Sequence, residues 1–210
     1  MSILLLMIID SFKTIKQYAL AELKEKGSRF ICQVHPVTGR DQAEEHIAAI
    51  GARYYDATHN CYAYCIGLGP QTLSRFSDDG EPSGTAGKPI LQAITGRELT
   101  NVVAVVTRYF GGTKLGTGGL VRAYSSVASQ ALDLAETRID YLTTIVHIIF
   151  EYHYANLVKK IIDNYNAEVK SADYQTHVSQ HVLVRNSKTE EFINQLINQS
   201  SGHIKIETPA

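Results

Sequence analysis

Residues 101–122 have the sequence NVVAVVTRYFGGTKLGTGGLVR, and this stretch decides the fold of the first half of the chain. It begins with an apolar run over residues 101–107, whose length and lack of alternation predict a strand that is buried on both faces. A glycine-rich segment follows, and the apolar spacing then changes to that of a long helix over residues 116–136. A buried strand that leads through glycines into a long helix indicates a protein that mixes helices with a sheet.

The residues upstream alternate between strand and helix signals. We predict three strands, over residues 29–35, 60–67 and 72–76, and two helices, over residues 40–50 and 87–96. The last two strands are expected to pair as a hairpin. Gly51 is expected to end the first helix, and Pro89 suits the first turn of the second.

The last third of the chain has a different texture. Nine of the 15 glycines lie between Gly80 and Gly119, and only one follows. The order of signals after residue 141 is strand, helix, strand, strand, helix, strand, over residues 142–151, 155–165, 167–174, 177–185, 189–200 and 203–207. This βαββαβ order is the ferredoxin-like split βαβ pattern. We therefore predict an α+β chain of two domains, residues 1–138 and residues 139–210.

Charge limits the classes of partner. The chain has 210 residues, 44% of them hydrophobic, which suffices for a buried core, and its formal net charge is −1. This balance excludes a protein that binds nucleic acid by bulk positive charge, but it allows a local basic surface. Residues 1–138 have 14 Lys and Arg against 13 Asp and Glu, whereas residues 139–210 have 6 against 8. Any basic surface is therefore expected on the first domain.

The cysteines and the N-terminal run predict the compartment. Three cysteines without a secretory pattern are typical of free thiols in a reducing compartment, so we expect a cytoplasmic protein. The apolar run over residues 3–9 is too short to span a bilayer, which needs about 20 residues. It predicts a first strand or a tail, with Met7 as an alternative start to Met1, and no membrane association.

The densest polar segment is SDDGEPSGTAGK at residues 77–88. It is too long and too irregular for a hairpin loop. We interpret it as a binding loop, in which backbone N–H groups and a lysine meet an anion or carboxylates bind a cation. The alternative is an ordinary surface turn rich in turn-forming residues. The candidate residues of this loop are Asp78, Asp79, Glu81, Ser83, Thr85 and Lys88.

A second candidate site lies where the strand at residues 101–107 leads into the long helix. Free N–H groups and the helix dipole make a helix start a natural anion site. We predict an anion- or nucleic-acid-binding site, whose residues, together with Lys88, are Arg108, Gly111, Gly112, Lys114, Gly116, Gly118, Gly119 and Arg122. The alternative is a tight connection in which glycine serves packing.

Two nucleotide motifs fail in these segments. The P-loop pattern is broken because Pro82 occupies its first glycine position and Pro89 follows Lys88, and the dinucleotide fingerprint is broken at Val121. We therefore expect no nucleotide cofactor.

The segment HNCYAYC at residues 59–65 has His and Cys at alternating positions. On a strand, His59, Cys61 and Cys65 would share one face, with Tyr62 on the other. They would span roughly 20 Å at about 3.3 Å per residue, which is too far for one metal ion. We expect no metal site, and we interpret Cys61 as a buried small apolar residue rather than a nucleophile.

Three of these segments together carry a resemblance to a known family. They are HNCYAY at residues 59–64, SDDGEPSGTAGKPI at 77–90 and VVTRYFGGTKLGTGGLVRAY at 105–124. The chain resembles the IMPACT/YigZ family over residues 27–136, and its last part resembles the small domain that follows in bacterial members. The resemblance implies a first domain like domain 2 of ribosomal protein S5. It implies a second like the C-terminal ferredoxin-like domain of elongation factor G.

The resemblance also implies a role in translation. We expect a non-catalytic regulator of translation that binds RNA, the ribosome or translation factors through the glycine-rich, locally basic surface. His59, Asn60 and Tyr62 would support that surface. Cys65 stands where many relatives are expected to have Arg, which would remove one cation from it.

Two other functions remain open at this point. One is a metal-dependent hydrolase or phosphotransfer enzyme that uses Asp78, Asp79 and Glu81 as ligands. The other is a protein-interaction module built on the C-terminal sheet. The sequence leaves the oligomeric state open.

Overall fold

A computed structural model describes residues 10–207 of the chain. The described residues form two compact units, one of them Phe12–Asp140 and the other consisting of Asp10, Ser11 and residues 141–207. No helix among these residues has the length and apolar character needed to cross a membrane. The apolar run over residues 3–9 lies outside the described residues, and the domain boundary after residue 138 stays a prediction.

The first unit is built on a five-stranded antiparallel sheet in the order β2-β3-β6-β4-β5. Strands β1 and β7, which come first and last in this part of the chain, pair with each other in a separate two-stranded sheet. The elements up to residue 141 are β1 (Ser11–Ile15), β2 (Ala19–Glu25), β3 (Ser28–Pro36), α1 (Arg40–Arg53), β4 (His59–Ile66), β5 (Leu73–Ser77), α2 (Gly87–Thr95), β6 (Val102–Tyr109), α3 (Gly116–Leu134) and β7 (Thr137–Tyr141).

Strand β6 lies at the centre of the sheet with helices on both faces. Val102, Ala104 and Val106 pack into the larger core with α2 and α3, whereas Val103 and Val105 pack against α1. The prediction of a strand buried on both faces is therefore confirmed. Because β6 is fixed on both faces, the residues that follow it start from a rigid position.

One local prediction was wrong, and strand β2 was not predicted. Helix α1 continues through Gly51 to Arg53. A glycine in a helix costs only about 1 kcal/mol relative to alanine, and the packing of the helix on the sheet outweighs that cost. Strand β2 was missed because its sequence, ALAELKE, consists of residues that favour helices; its alternation of buried alanines with exposed residues becomes meaningful only once the sheet is known.

The second unit has the predicted βαββαβ order. Its elements are β8 (Thr143–Phe150), α4 (Ala155–Asn164), β9 (Glu168–Tyr174), β10 (Val178–Arg185), α5 (Thr189–Gln199) and β11 (Lys205–Glu207). The strands pair antiparallel in the order β11-β8-β10-β9. Apolar residues of β8 and β10 form one core with those of α4 and α5.

Candidate functional site

Asp78 organises the polar loop between β5 and α2. Its carboxylate accepts hydrogen bonds from the backbone N–H groups of Gly84 at 2.7 Å, Ala86 at 3.0 Å and Gly87 at 2.8 Å. Burial opposes ionisation of this carboxyl, but the three N–H donors outweigh it and keep the pKa of Asp78 below its ordinary value. The carboxylate of Asp78 therefore occupies the anion-binding position at the N-terminus of α2.

Glu81 and Arg108 join the two glycine-rich segments inside the protein. Arg108 Nη1 lies 2.6 Å from Glu81 Oε1, and the two side chains are 6% and 3% exposed. The hydroxyl of Tyr124 donates to the same oxygen at 2.8 Å, and Arg108 Nη2 donates to Ser28 Oγ at 3.3 Å. This geometry corrects the expectation that Arg108 contacts a phosphate, because its guanidinium is buried against a carboxylate.

His59 and Asn60, at the start of β4, fix the loop to the sheet. His59 Nδ1 lies 2.7 Å from the carbonyl oxygen of Asp79, so Nδ1 is the donor, and Nε2 faces Glu81 Oε2 at 3.9 Å. The backbone N–H of Asn60 donates to Asp79 Oδ2 at 2.5 Å. Asp79 itself has a positive φ of 43°. Two of the three predicted supporting residues, His59 and Asn60, thus hold Asp79 in place.

Each carboxylate of the loop is therefore used by a donor of the protein itself. Asp78 receives three backbone N–H groups, Asp79 one, and Glu81 an arginine and a tyrosine. Among residues 10–207, no group of three or more His, Cys, Asp or Glu side chains is arranged to bind a metal ion.

The other polar residues of the loop differ in exposure. Ser83 and Lys88 are exposed, the latter in the first turn of α2. Thr85 is buried and donates to the carbonyl oxygen of Pro82 at 2.6 Å. The described residues show no ion pair for Lys88 and no hydrogen bond from its side chain to the segment after β6.

The residues of β4 divide between the two faces as predicted. Cys61 and Cys65 lie in the core with α2 and α3, whereas Tyr62 packs half-buried on the α1 side. Burial raises the pKa of Cys61 to about 12, which favours the protonated thiol. Cys65 is buried in this chain, with 5% of its surface exposed.

The segment after β6 is fixed to the turn between β2 and β3. Lys26 and Gly27 form that turn with φ angles of 46° and 80°, both in the left-handed region, as a two-residue hairpin of type I′ requires. Gly111 lies so close to this turn that a side chain there would overlap the carbonyl group of Gly27. Its N–H donates to Ser28 Oγ at 3.2 Å. For Gly111, the packing alternative explains the glycine.

Beyond Gly111 the segment is open to solvent. Gly112, Lys114, Gly116 and Gly118 are exposed, and Gly119 is half-buried. Within the described residues, no hydrogen bond uses the backbone N–H groups of Gly112 or Gly116. The N-terminus of α3 thus differs from that of α2, which Asp78 occupies.

Three cations surround this helix start, and we call Lys26, Lys114 and Arg122 the basic surface. A groove of about 300 Å³ is lined by Lys26, Gly119 and Arg122, and also by Glu25. A Cβ on Gly118 would lie 3.5 Å from Arg122 Nη1, so this guanidinium reaches back over the first turn of α3. All three cations are exposed, and none forms an ion pair within residues 10–207.

Sequence reasoning missed Lys26 and Phe110 as site residues. The exposed position of Lys26 could be predicted from the Lys-Gly turn, but that dipeptide indicates a hairpin only if the strands on both sides are recognised. Phe110 lies directly before Gly111 and is 46% exposed. Its exposure depends on where the chain leaves the sheet, which no local pattern reveals.

The fold and this site define a class: an α+β protein whose first unit displays a glycine-rich, locally basic helix start and whose second unit has a ferredoxin-like order of elements. Two family models match the chain, "Impact N-terminal domain" over residues 26–132 and "Domain of unknown function (DUF1949)" over residues 148–203. The chain belongs to the IMPACT family.

Similar proteins cover nearly the whole chain. An IMPACT family member of Haemophilus influenzae is 37% identical over 193 residues, which are 91% of this chain and 94% of the relative. IMPACT family member YvyE of Bacillus subtilis is 34% identical over 200 residues, which are 95% of this chain and 92% of the relative. A crystal structure of a hypothetical protein has a TM-score of 0.72 at 32% identity, and the match covers 97% of this chain and 99% of the other.

Proposed function

We propose that this protein is a non-catalytic regulator of translation that binds RNA, free or within the ribosome, through the basic surface. The observation that carries the proposal is the arrangement of Lys26, Lys114 and Arg122, exposed and without carboxylate partners in the described residues, around the open start of α3. The resemblance to the IMPACT/YigZ family supplies the link to translation. We also propose the cytoplasm as its location, which suits three free, buried cysteines.

The chemistry of the site suits an anion such as phosphate. Backbone N–H groups at a helix start point at an anion, and the helix dipole favours negative charge there. At Gly116 a phosphate can approach the backbone without meeting a side chain, and at Gly118 the neighbouring group is the Arg122 guanidinium. The cations of the basic surface then add attraction that depends on salt.

The affinity should be moderate. Glu25 lines the same groove as Lys26 and Arg122, and the net charge of the whole chain is −1. Few phosphates are therefore neutralised, and long-range attraction by the whole protein is weak.

Filter binding to a short single-stranded RNA over a range of salt concentrations tests the proposal. For the double variant Lys114→Ala and Arg122→Ala, we expect weaker binding and a slope of log affinity against log salt that is smaller by about 0.7 for each phosphate that is no longer neutralised. The matched control is Lys159→Ala with Lys160→Ala, two exposed lysines on α4 of the other unit. An affinity that is absent, flat with salt or unchanged in the double variant contradicts the proposal.

A further inference from the structure

Phe110 is an exposed aromatic residue that the structure holds in a defined place. Its ring is 46% exposed. Its backbone N–H donates to Thr58 Oγ1 at 3.0 Å, on the segment that joins α1 to β4. Single exposed apolar side chains are common on protein surfaces, so exposure alone carries no function. A function for Phe110 therefore depends on the residues that contact the ring.

Arg108 supports the ring of Phe110 from the protein side. The guanidinium carbon lies 5.6 Å from the centre of the Phe110 ring and 5.3 Å from that of the buried Phe30, distances at which a cation is attracted to an aromatic face. The guanidinium itself is fixed by its ion pair with Glu81. Arg108 is therefore a positioning residue for the Phe110 ring.

The segment that carries Phe110 contacts the turn that carries Lys26. Gly111, the residue after Phe110, touches Gly27, and Lys26 precedes Gly27 in the same turn. Lys26 in turn lines one groove with Arg122. These backbone contacts connect the residue after Phe110 to the turn of Lys26, and that turn lines the groove beside the start of α3.

We infer that the RNA bound at this site is single-stranded, with one unpaired base stacked on Phe110 while neighbouring phosphates lie on Lys26, Lys114 and Arg122. This inference rests on the proposed function and specifies its ligand. Single-stranded nucleic acid is bound by cations that follow the backbone and by aromatic rings on which bases stack. Bases inside a duplex are stacked on one another, so a duplex offers no free base to the ring.

The test compares three ligands of equal phosphate number: a short single-stranded RNA, an RNA duplex of half its length, and an abasic oligonucleotide that keeps the phosphates of the single strand. We expect the wild-type protein to prefer the single strand. Phe110→Ala should weaken binding of the single strand about tenfold, with an unchanged salt slope, because the stacking of one base is removed. Binding of the duplex and of the abasic strand should not change, and Phe110→Tyr should restore the affinity.

The matched control is Phe76→Ala, since Phe76 is 45% exposed and lies on β5, at the edge of the sheet opposite to β2. Circular dichroism and thermal unfolding of each variant show whether it is folded. If the wild type binds the single strand and Phe110→Ala binds it equally well, the inference is overturned and the proposed function stands. If the wild type binds no RNA, both fail.

Discussion

At the scale of single residues, the ion pair of Arg108 and Glu81 is the contact that joins the two glycine-rich segments. The two segments that the sequence marks as glycine-rich meet at this pair, whose members are 27 residues apart in the chain. Tyr124 adds a third group from α3. All three side chains are buried, so this pair and its tyrosine serve the interior of the protein.

We expect Glu81→Gln to lower the free energy of unfolding by about 3 kcal/mol, because it leaves the buried Arg108 charge without a counter-charge. Urea unfolding followed by circular dichroism measures this loss. The control is Glu22→Gln, whose ion pair with Arg29 is exposed and should be worth less than about 1 kcal/mol. Equal losses for the two variants would show that the buried pair has no special weight.

Gly111 shows what sequence can and cannot decide at this scale. The sequence identifies the glycine as important and offers two reasons, ligand approach or packing. Only its close approach to Gly27, far earlier in the chain, shows that packing is the reason at Gly111. At Gly112 and Gly116 a Cβ would have no atom within 4 Å, so the space beside these two glycines is open.

At the scale of elements, a pair of histidines adds to the apolar packing of helix α1 on the sheet. The rings of His35 on β3 and His46 on α1 are stacked with centres 4.2 Å apart. Burial, with a smaller contribution from His46, lowers the pKa of His35 to about 4. The folded protein therefore keeps His35 neutral at pH values where an unfolded chain would already be protonated.

A pH dependence of stability follows. Because the folded-state pKa of about 4 lies below the unfolded value of about 6.5, the unfolded chain binds the proton more readily between these values. The free energy of unfolding should fall as pH drops from about 6.5 towards about 4. Urea unfolding across this range should show the decline in the wild type and a smaller one in His35→Phe. Identical profiles would contradict the account.

Most elements could be predicted from the sequence because their apolar spacing is strong. Strand β6, helix α3 and the βαββαβ order of the second unit are of this kind. Strand β2 could not be predicted, since helix-forming residues fill it and tertiary pairing with β3 overrides their preference. Missing β2 also hid the turn at Lys26 and, with it, one cation of the basic surface.

At the scale of the whole molecule, charge is distributed unevenly. The net charge of −1 conceals a balance of +1 over residues 1–138 and −2 over residues 139–210. The sequence therefore predicts which part carries a basic surface. It does not predict which cations are exposed, because Arg108 is buried against Glu81 of another loop whereas Arg122 faces solvent.

The measurement that tests the central claim most directly is photo-crosslinking of the full chain to a short thiouridine-labelled single-stranded RNA, followed by mass spectrometry of the crosslinked peptides. The account predicts crosslinks within residues 108–122 and at the turn of Lys26, and their loss at high salt, because binding depends on phosphate contacts. Crosslinks confined to residues 141–207, or none at low salt, would contradict it.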